Sequence, residues 1–292
     1  MQTLIATSST RLDKFLSSSL EISRNQIEYF IKNIGVKVNN KDVKKSSFKL
    51  KIDDKIEFEF VHFKEETSEL TVDFDIDILY EDDDLLVINK PPFLIVHPAP
   101  SVKEITVVDW LKTKNISLST ISAQERHGII HRLDKETSGA MVIAKTNDAH
   151  VVLSKQLEDK SMGRYYIALI DIPLKDDVVV ESQIGRSPSN RIKMANLESK
   201  GKYAKSKFFK IKKYEKYELI LAKLFTGRTH QIRVHLGKLS RHILGDKTYG
   251  YQKNDVSRVM LHAYSIYFTH PTSKKQMSIT APLFEDFNKY IV

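Results

Sequence analysis

The residues with the greatest chemical reach sit in short polar segments of the chain's second half. One reads Arg126-His127-Gly128-Ile129-Ile130-His131-Arg132-Leu133-Asp134-Lys135-Glu136-Thr137-Ser138-Gly139. An apolar pair runs into a polar loop, and residues 140–144 resume as a strand. Asp134 is therefore expected on a loop held between two strands, where catalytic side chains are often presented. A carboxylate there could act as nucleophile or as general base. A second segment, Thr226-Gly227-Arg228-Thr229-His230-Gln231-Ile232-Arg233-Val234-His235-Leu236, reads as the start of a helix. Thr229 caps it, Ile232, Leu236 and Leu239 face inward, and Arg233 lies in its first turn. Ten histidines raise metal hydrolysis as a rival. His230 and His235 are five apart, followed by His242, His262 and His270, and none forms the His-Glu-x-x-His helix pair.

The chain that must position these groups has 292 residues, no cysteine and a net charge of +9. That length allows one large domain or two modest ones. Zero cysteines exclude disulfides, thiolate zinc sites, iron–sulfur clusters and the zinc centre of a nucleobase deaminase. They also fit a reducing, cytoplasmic setting. No apolar run is long enough to span a membrane, and residues 1–10 lack the pattern of a secretory signal. The charge is uneven: residues 1–64 hold 12 Lys/Arg against 8 Asp/Glu, residues 65–84 hold 10 Asp/Glu and no cation, and residues 85–292 hold 34 against 19. The expected organisation is a basic domain over 1–62, an acidic linker over 63–77 and a second basic domain over 78–292. A polyanion is the natural partner.

In the first block, Leu12, Phe15, Leu16 and Leu20 share a helical face. Ser23-Arg24-Asn25-Gln26 has the form of a capping box. Ile27, Phe30, Ile31 and Ile34 continue at helical spacing until Gly35 ends the helix. Val36 and Val38 open a strand, Asn39-Asn40 suits a turn, and Ile56, Phe58 and Phe60 alternate as a closing strand. Two short helices before a small basic sheet resemble the S4 RNA-binding module, over about residues 11–60. Arg24, Lys32, Lys41, Lys44 and Lys45 are its candidate phosphate contacts.

The second block resembles the large-subunit-rRNA type A (RluA-type) pseudouridine synthases over roughly residues 78–287. His131-Arg132-Leu133-Asp134-x-x-Thr137-Ser138-Gly139 matches their active-site loop. In the same order follow Arg164-Tyr165-Tyr166-Ile167-Ala168, the basic loop from Gly185-Arg186-Ser187-Pro188 to Arg191-Ile192-Lys193-Met194, and the segment from Thr226 to Leu236. Leu244-Gly245-Asp246-x-x-Tyr249-Gly250 and Leu261-His262-Ala263 to His270-Pro271 close the set. Two positions depart: Phe93 stands where the family usually has Gly, and His242 where it usually has Pro. Periodicity alone supports an α+β fold. The resemblance implies a mixed, largely antiparallel sheet flanked by helices near 104–113, 147–158 and 229–239.

It also implies a reaction. Uracil leaves C1′ of ribose, rotates and rejoins through C5, which balances without a redox cofactor or a metal. Asp134 is the reacting carboxylate in that reading. It could attack C1′, take a proton from C2′ or add to C6, and the sequence does not choose among these. The resemblance makes Arg233 its partner guanidinium, Tyr166 the ring on which uracil stacks and a mover of protons, and Ile232 a pocket wall. The target base must be flipped out of its stack, with Arg132 filling the space it leaves. Arg186, Arg191 and Lys193 are candidate phosphate contacts. The expected target is large-subunit rRNA, then tRNA, and the expected state is a monomer. The rival outside enzymology is a non-catalytic RNA-binding or ribosome-assembly protein.

Overall fold

The structure is a computed structural model. It describes residues 2–20, 24–59, 72–97, 104–114, 116, 118–119, 128–190 and 192–291. The chain divides into two compact units, Met1–Glu69 and Leu70–Val292.

In the first unit the elements run β1 (Gln2–Ile5), α1 (Leu12–Leu20), α2 (Arg24–Asn33), β2 (Val36–Val38), β3 (Lys41–Val43) and β4 (Lys55–Phe58). The strands form an antiparallel sheet in the order β1-β4-β2-β3. Leu12, Phe15 and Leu16 of α1 and Ile27, Phe30 and Ile31 of α2 pack against Val36, Val38, Ile56 and Phe58. These are the helical and alternating faces that the sequence marks out. Ile34 leaves the pattern: α2 stops at Asn33 and Ile34 is 41% exposed. Gly35 then turns the chain with φ +88°. Asn39 and Asn40 both have positive φ, as a two-residue hairpin between β2 and β3 requires. β1 is too short to show a period and is defined by its pairing with β4. Ser23 and Phe60, and the side chains of Arg24 and Gln26, lie outside the described residues, and with them the expected capping box.

Among its described residues the second unit is built on ten strands. They are β5 (Asp77–Glu81), β6 (Leu85–Lys90), β7 (Ser138–Ala144), β8 (Gly163–Ile170), β9 (Val178–Arg186), β10 (Met194–Leu197), β11 (Lys202–Lys213), β12 (Glu218–Leu224), β13 (Leu261–Thr269) and β14 (Gln276–Thr280). The order is β10-β9-β11-β12-β8-β13-β7-β6-β5, with β14 beside β13. Every pairing is antiparallel except β13 with β7. The sheet is thus mixed and largely antiparallel, as the motifs implied. The parallel pair approaches closely at Gly139, where an added Cβ would lie 2.3 Å from the Ala263 carbonyl oxygen. Among the described residues four helices flank the sheet: α3 (Val107–Thr113), α4 (Asn147–Glu158), α5 (Gln231–Lys238) and α6 (Glu285–Asn288).

β6 and β7 are buried along their whole length because both faces carry a core. Leu86, Ile88, Met141 and Ile143 enter the main cluster with Trp110, Ile220 and Leu236. Leu85, Val87, Val142 and Ala144 join Leu153 of α4 and Phe268 on the other side. The acidic stretch does not remain apart to its end. Ile76 is buried, and Asp75 accepts from the Trp110 indole at 2.9 Å.

Three local expectations change. The strand before Asp134 reduces to a single bridge, Ile129 to Ile143. The N-cap of α5 is His230, in the left-handed region at φ 56°, instead of Thr229. Leu239 is the C-cap of α5 and only half-buried. The two departures from the family pattern also gain physical content. Phe93 is held at φ +66°, a conformation that glycine adopts without a Cβ penalty. The backbone N–H of His242 donates to Asp171 Oδ1 at 2.8 Å, a bond that proline cannot make, and its Nδ1 pairs with Asp171 Oδ2.

Candidate active site

Asp134 stands on the loop between the Ile129 bridge and β7, with its carboxylate half-buried. The loop is gripped through its backbone. The Asp134 carbonyl accepts from the Thr137 N–H at 3.1 Å. Lys90 Nζ donates to the Lys135 carbonyl at 3.2 Å and to those of Pro91 and Leu94. Arg258 donates to the Glu136 carbonyl, and the Glu136 carboxylate accepts from the Val259 N–H. Lys90 is fully buried, and burial pushes its amine down to about 7, with Arg258 adding repulsion and Asp134 opposing it. Its three carbonyl partners replace the water that a buried ammonium loses.

Opposite the loop, α5 presents Arg233. The guanidinium is buried and bound at two points to Asp246, Nε to Oδ2 at 2.7 Å and Nη2 to Oδ1 at 2.8 Å. Its remaining nitrogen, Nη1, lies 3.5 Å from Asp134 Oδ2, outside the range of a strong hydrogen bond. Asp246 therefore fixes Arg233, and Arg233 lends Asp134 positive charge without taking up its lone pair. The Arg233 guanidinium also lies 4.8 Å from the centre of the Tyr249 ring. His230 Nε2 is 3.7 Å from the same Asp134 oxygen, and His230 Nδ1 shares a 2.9 Å hydrogen bond with the Tyr249 hydroxyl. Burial pushes His230 below the usual imidazole range, against the pull of Asp134.

These groups line a cavity of about 310 Å³. Its apolar wall is Leu133, Tyr166, Leu224, Ile232 and Leu261; Tyr166 and Ile232 are 5% and 4% exposed. Burial raises the Tyr166 phenol above its ordinary range, so it is held in its protonated form. Arg132, Arg164, Arg228 and Arg233 also line the cavity, and Asp134 is the single carboxylate on its wall among the described residues. An apolar wall facing a carboxylate, with cations around it, suits a neutral planar base carried on a polyanion.

Comparison with known proteins decides the family. Residues 84–238, more than half of the chain, match the RNA pseudouridylate synthase family. The chain belongs to the RNA pseudouridine synthase family. Residues 10–56 match the S4 domain. An uncharacterized RNA pseudouridine synthase of Helicobacter pylori (strain J99) is 48% identical over 290 residues, covering 96% of this chain and 89% of that protein. The ribosomal large subunit pseudouridine synthase D of Neisseria meningitidis (serogroup A, strain Z2491) is 37% identical, covering 94% and 76%. Among solved structures, human RNA pseudouridylate synthase domain containing 4 superposes with a TM-score of 0.58 at 25% identity, covering 72% of this chain and 90% of that one.

Within this pseudouridine synthase, the fold brings Asp134, Tyr166, Arg233, Arg132 and Ile232 to one cavity. Arg132 is exposed, with Nη1 3.4 Å from His97 Nε2. Arg186 ends β9 and Lys193 precedes β10, and neither lines the cavity. Arg191 lies outside the described residues. Lys32, Lys41, Lys44 and Lys45 are exposed on the S4 unit. The site also uses residues that sequence reasoning left without a role: Asp246, His230, Tyr249 and Arg164. All four lie inside the quoted motifs, which was the available signal; spacing alone could not show that Asp246 faces Arg233. Two of the other histidines are structural. His235 bonds Ser206 and Ser182, and His262 bonds Ser138 and the Ala281 carbonyl. Among the described residues, Asp82, Asp84 and His270 form the one metal-like cluster. There His270 Nδ1 accepts from the Thr272 and Ser273 N–H groups, so Nε2 carries the proton and donates to Asp82 at 2.6 Å. That arrangement ties two turns together. Among the described residues, no helix is long and apolar enough to cross a membrane.

Proposed function

We propose that this pseudouridine synthase isomerises uridines of large-subunit ribosomal RNA, with Asp134 as the reacting carboxylate. The observation that carries the assignment of Asp134 is its isolation. Among the described residues it is the one carboxylate lining the cavity, with a guanidinium 3.5 Å away that is itself locked by a second carboxylate. In the reaction, the C1′–N1 bond breaks, a C1′–C5 bond forms, the proton on C5 is lost and N1 gains one. Asp134 serves at C1′, at C2′ or at C6, and each route needs an ionised carboxylate beside the sugar and base. Arg233, held by Asp246, places positive charge 3.5 Å from that carboxylate. Tyr166 and Ile232 hold the uracil ring, a stacking contact of roughly 1–3 kcal/mol, and the protonated Tyr166 hydroxyl can pass a proton at C5 or C2′.

Arg132 on the rim fills the place of the flipped base, and Arg186, Arg191 and Lys193 bind phosphates. Arg24, Lys32 and Lys44 of the S4 unit add sequence-independent affinity. The rRNA target is supported by the ribosomal name of the Neisseria relative, and tRNA is the second choice. The protein acts in the cytoplasm as a monomer. The test is pseudouridine formation in transcripts of large-subunit rRNA and of tRNA by wild type and Asp134→Asn. Wild-type activity with none in the variant supports the assignment; full activity in Asp134→Asn refutes it. Mapping pseudouridines in cells with and without the gene identifies the target.

A further inference from the structure

The cavity holds more positive charge than the reacting carboxylate needs. Arg233 is matched by Asp246, but Arg132, Arg164 and Arg228 have no carboxylate partner among the described residues. Arg228 Nε donates to the Tyr203 carbonyl, and Arg132 reaches His97. Arg164 has neither kind of anchor. It sits on central strand β8, paired with Leu224 of β12 and Ile266 of β13. Its Nε is buried without an acceptor. A guanidinium stays ionised inside a protein, and an unpaired one in a partly desolvated wall is costly.

A second orphan lines the same cavity. His131 is 8% exposed, and its Nε2 accepts from the Val142 N–H at 3.1 Å. The proton must then be on Nδ1, which is buried with no acceptor. The backbone makes room for the Arg164 guanidinium itself. A Cβ on Gly227 would lie 2.7 Å from Arg164 Nη1 and 3.0 Å from Nη2. The missing Cβ thus lets the end of the guanidinium lie close against the backbone at Gly227.

We propose that Arg164, seated on the cavity wall by Gly227, binds a backbone phosphate flanking the flipped uridine. A uracil carbonyl could accept a hydrogen bond but would leave the charge uncompensated; a phosphodiester supplies the missing anion and matches the guanidinium fork. The side chain acts as a positioning residue: it sets how deeply the nucleotide enters, while Asp134 and Arg233 face the reacting atoms. This rests on the reading of the cavity as the uridine site.

The experiment uses the full chain and measures RNA binding against salt, together with kcat and KM, on large-subunit rRNA transcripts and separately on tRNA transcripts. Arg164→Gln is expected to raise KM about 10- to 100-fold, the loss of one charged hydrogen-bonding contact, with a much smaller change in kcat. Its log K versus log salt slope should fall by about 0.7–0.9, one phosphate's share. Arg164→Lys keeps the charge and should keep the slope. Gly227→Ala should reproduce part of the defect in wild type and add nothing in Arg164→Gln. An unchanged salt slope in Arg164→Gln, or an additive effect of Gly227→Ala, overturns the phosphate contact. If wild type forms no pseudouridine in rRNA but does so in tRNA, the target reading fails while the Arg164 comparison is still read on tRNA. The salt slope needs only binding, so it decides the contact even where neither RNA is modified.

Discussion

Replacing Asp246 by Asn tests whether the site is oriented from behind. Asp246 is 1% exposed and holds Arg233 through bonds of 2.7 and 2.8 Å. Removing one charge of a buried pair costs about 3–5 kcal/mol. Asparagine keeps one accepting oxygen but turns an amide N–H₂ against a guanidinium N–H, so about 3 kcal/mol is the reasonable expectation. For a unit of this size each kcal/mol moves the melting temperature by roughly 2–4 °C, giving a fall of about 6–12 °C. The effect on chemistry follows from the 3.5 Å gap between Arg233 and Asp134. Freed from Asp246, the guanidinium can close to a charged hydrogen bond near 2.8 Å, a shift of about 0.7 Å. It would then occupy a lone pair that the reaction requires. Misplacement on the order of 1 Å costs about 100-fold in rate. The expected outcome is kcat about 100-fold lower with KM changed far less, read by mass spectrometry of pseudouridine at a temperature below the variant's melt. A variant that melts lower yet keeps kcat within about threefold would refute the orienting role and leave Asp246 as a structural ion-pair partner.

Asp82 should account for a defined part of the acid sensitivity. Burial pushes its carboxyl up, but bonds from Tyr80, His270 and the Leu85 and Asp84 amides bring it down to about 2. A depressed carboxyl contributes stability that is complete above its unfolded value near 4 and is lost as pH falls toward 2. Denaturant melts should therefore show Asp82→Asn less stable than wild type by about 2 kcal/mol at pH 6, with the gap closing by pH 2; a gap independent of pH would contradict this. The double variant Lys32→Glu, Lys44→Glu should weaken RNA binding and flatten its salt dependence, and binding unchanged in 50 mM and 200 mM salt would remove these lysines from the interface. Phe93→Gly relieves a left-handed φ that costs an L-residue roughly 1–2 kcal/mol, less the added freedom of the unfolded chain. A small rise in melting temperature is expected, and a fall would mean that the exposed ring packs more productively than its position suggests.

What the sequence determined by itself is chemistry by type and elements by period. The 3.6-residue spacing of Leu12, Phe15 and Leu16 and of Ile27, Phe30 and Ile31 marks the two S4 helices, because a helix buried on one face must repeat its apolar residues that way. The loop carrying Asp134 and the helix carrying Arg233 were legible as separate motifs. Their meeting was not, since residues 99 positions apart share no local period. Only the tertiary structure set Asp246 behind Arg233, placed His230 as a left-handed cap facing Asp134, and brought Gly227 against the end of Arg164. The physical reason is common to all three. Propensity and periodicity act between neighbours in the chain, whereas the charge balance of a cavity is decided by which strands the sheet brings side by side.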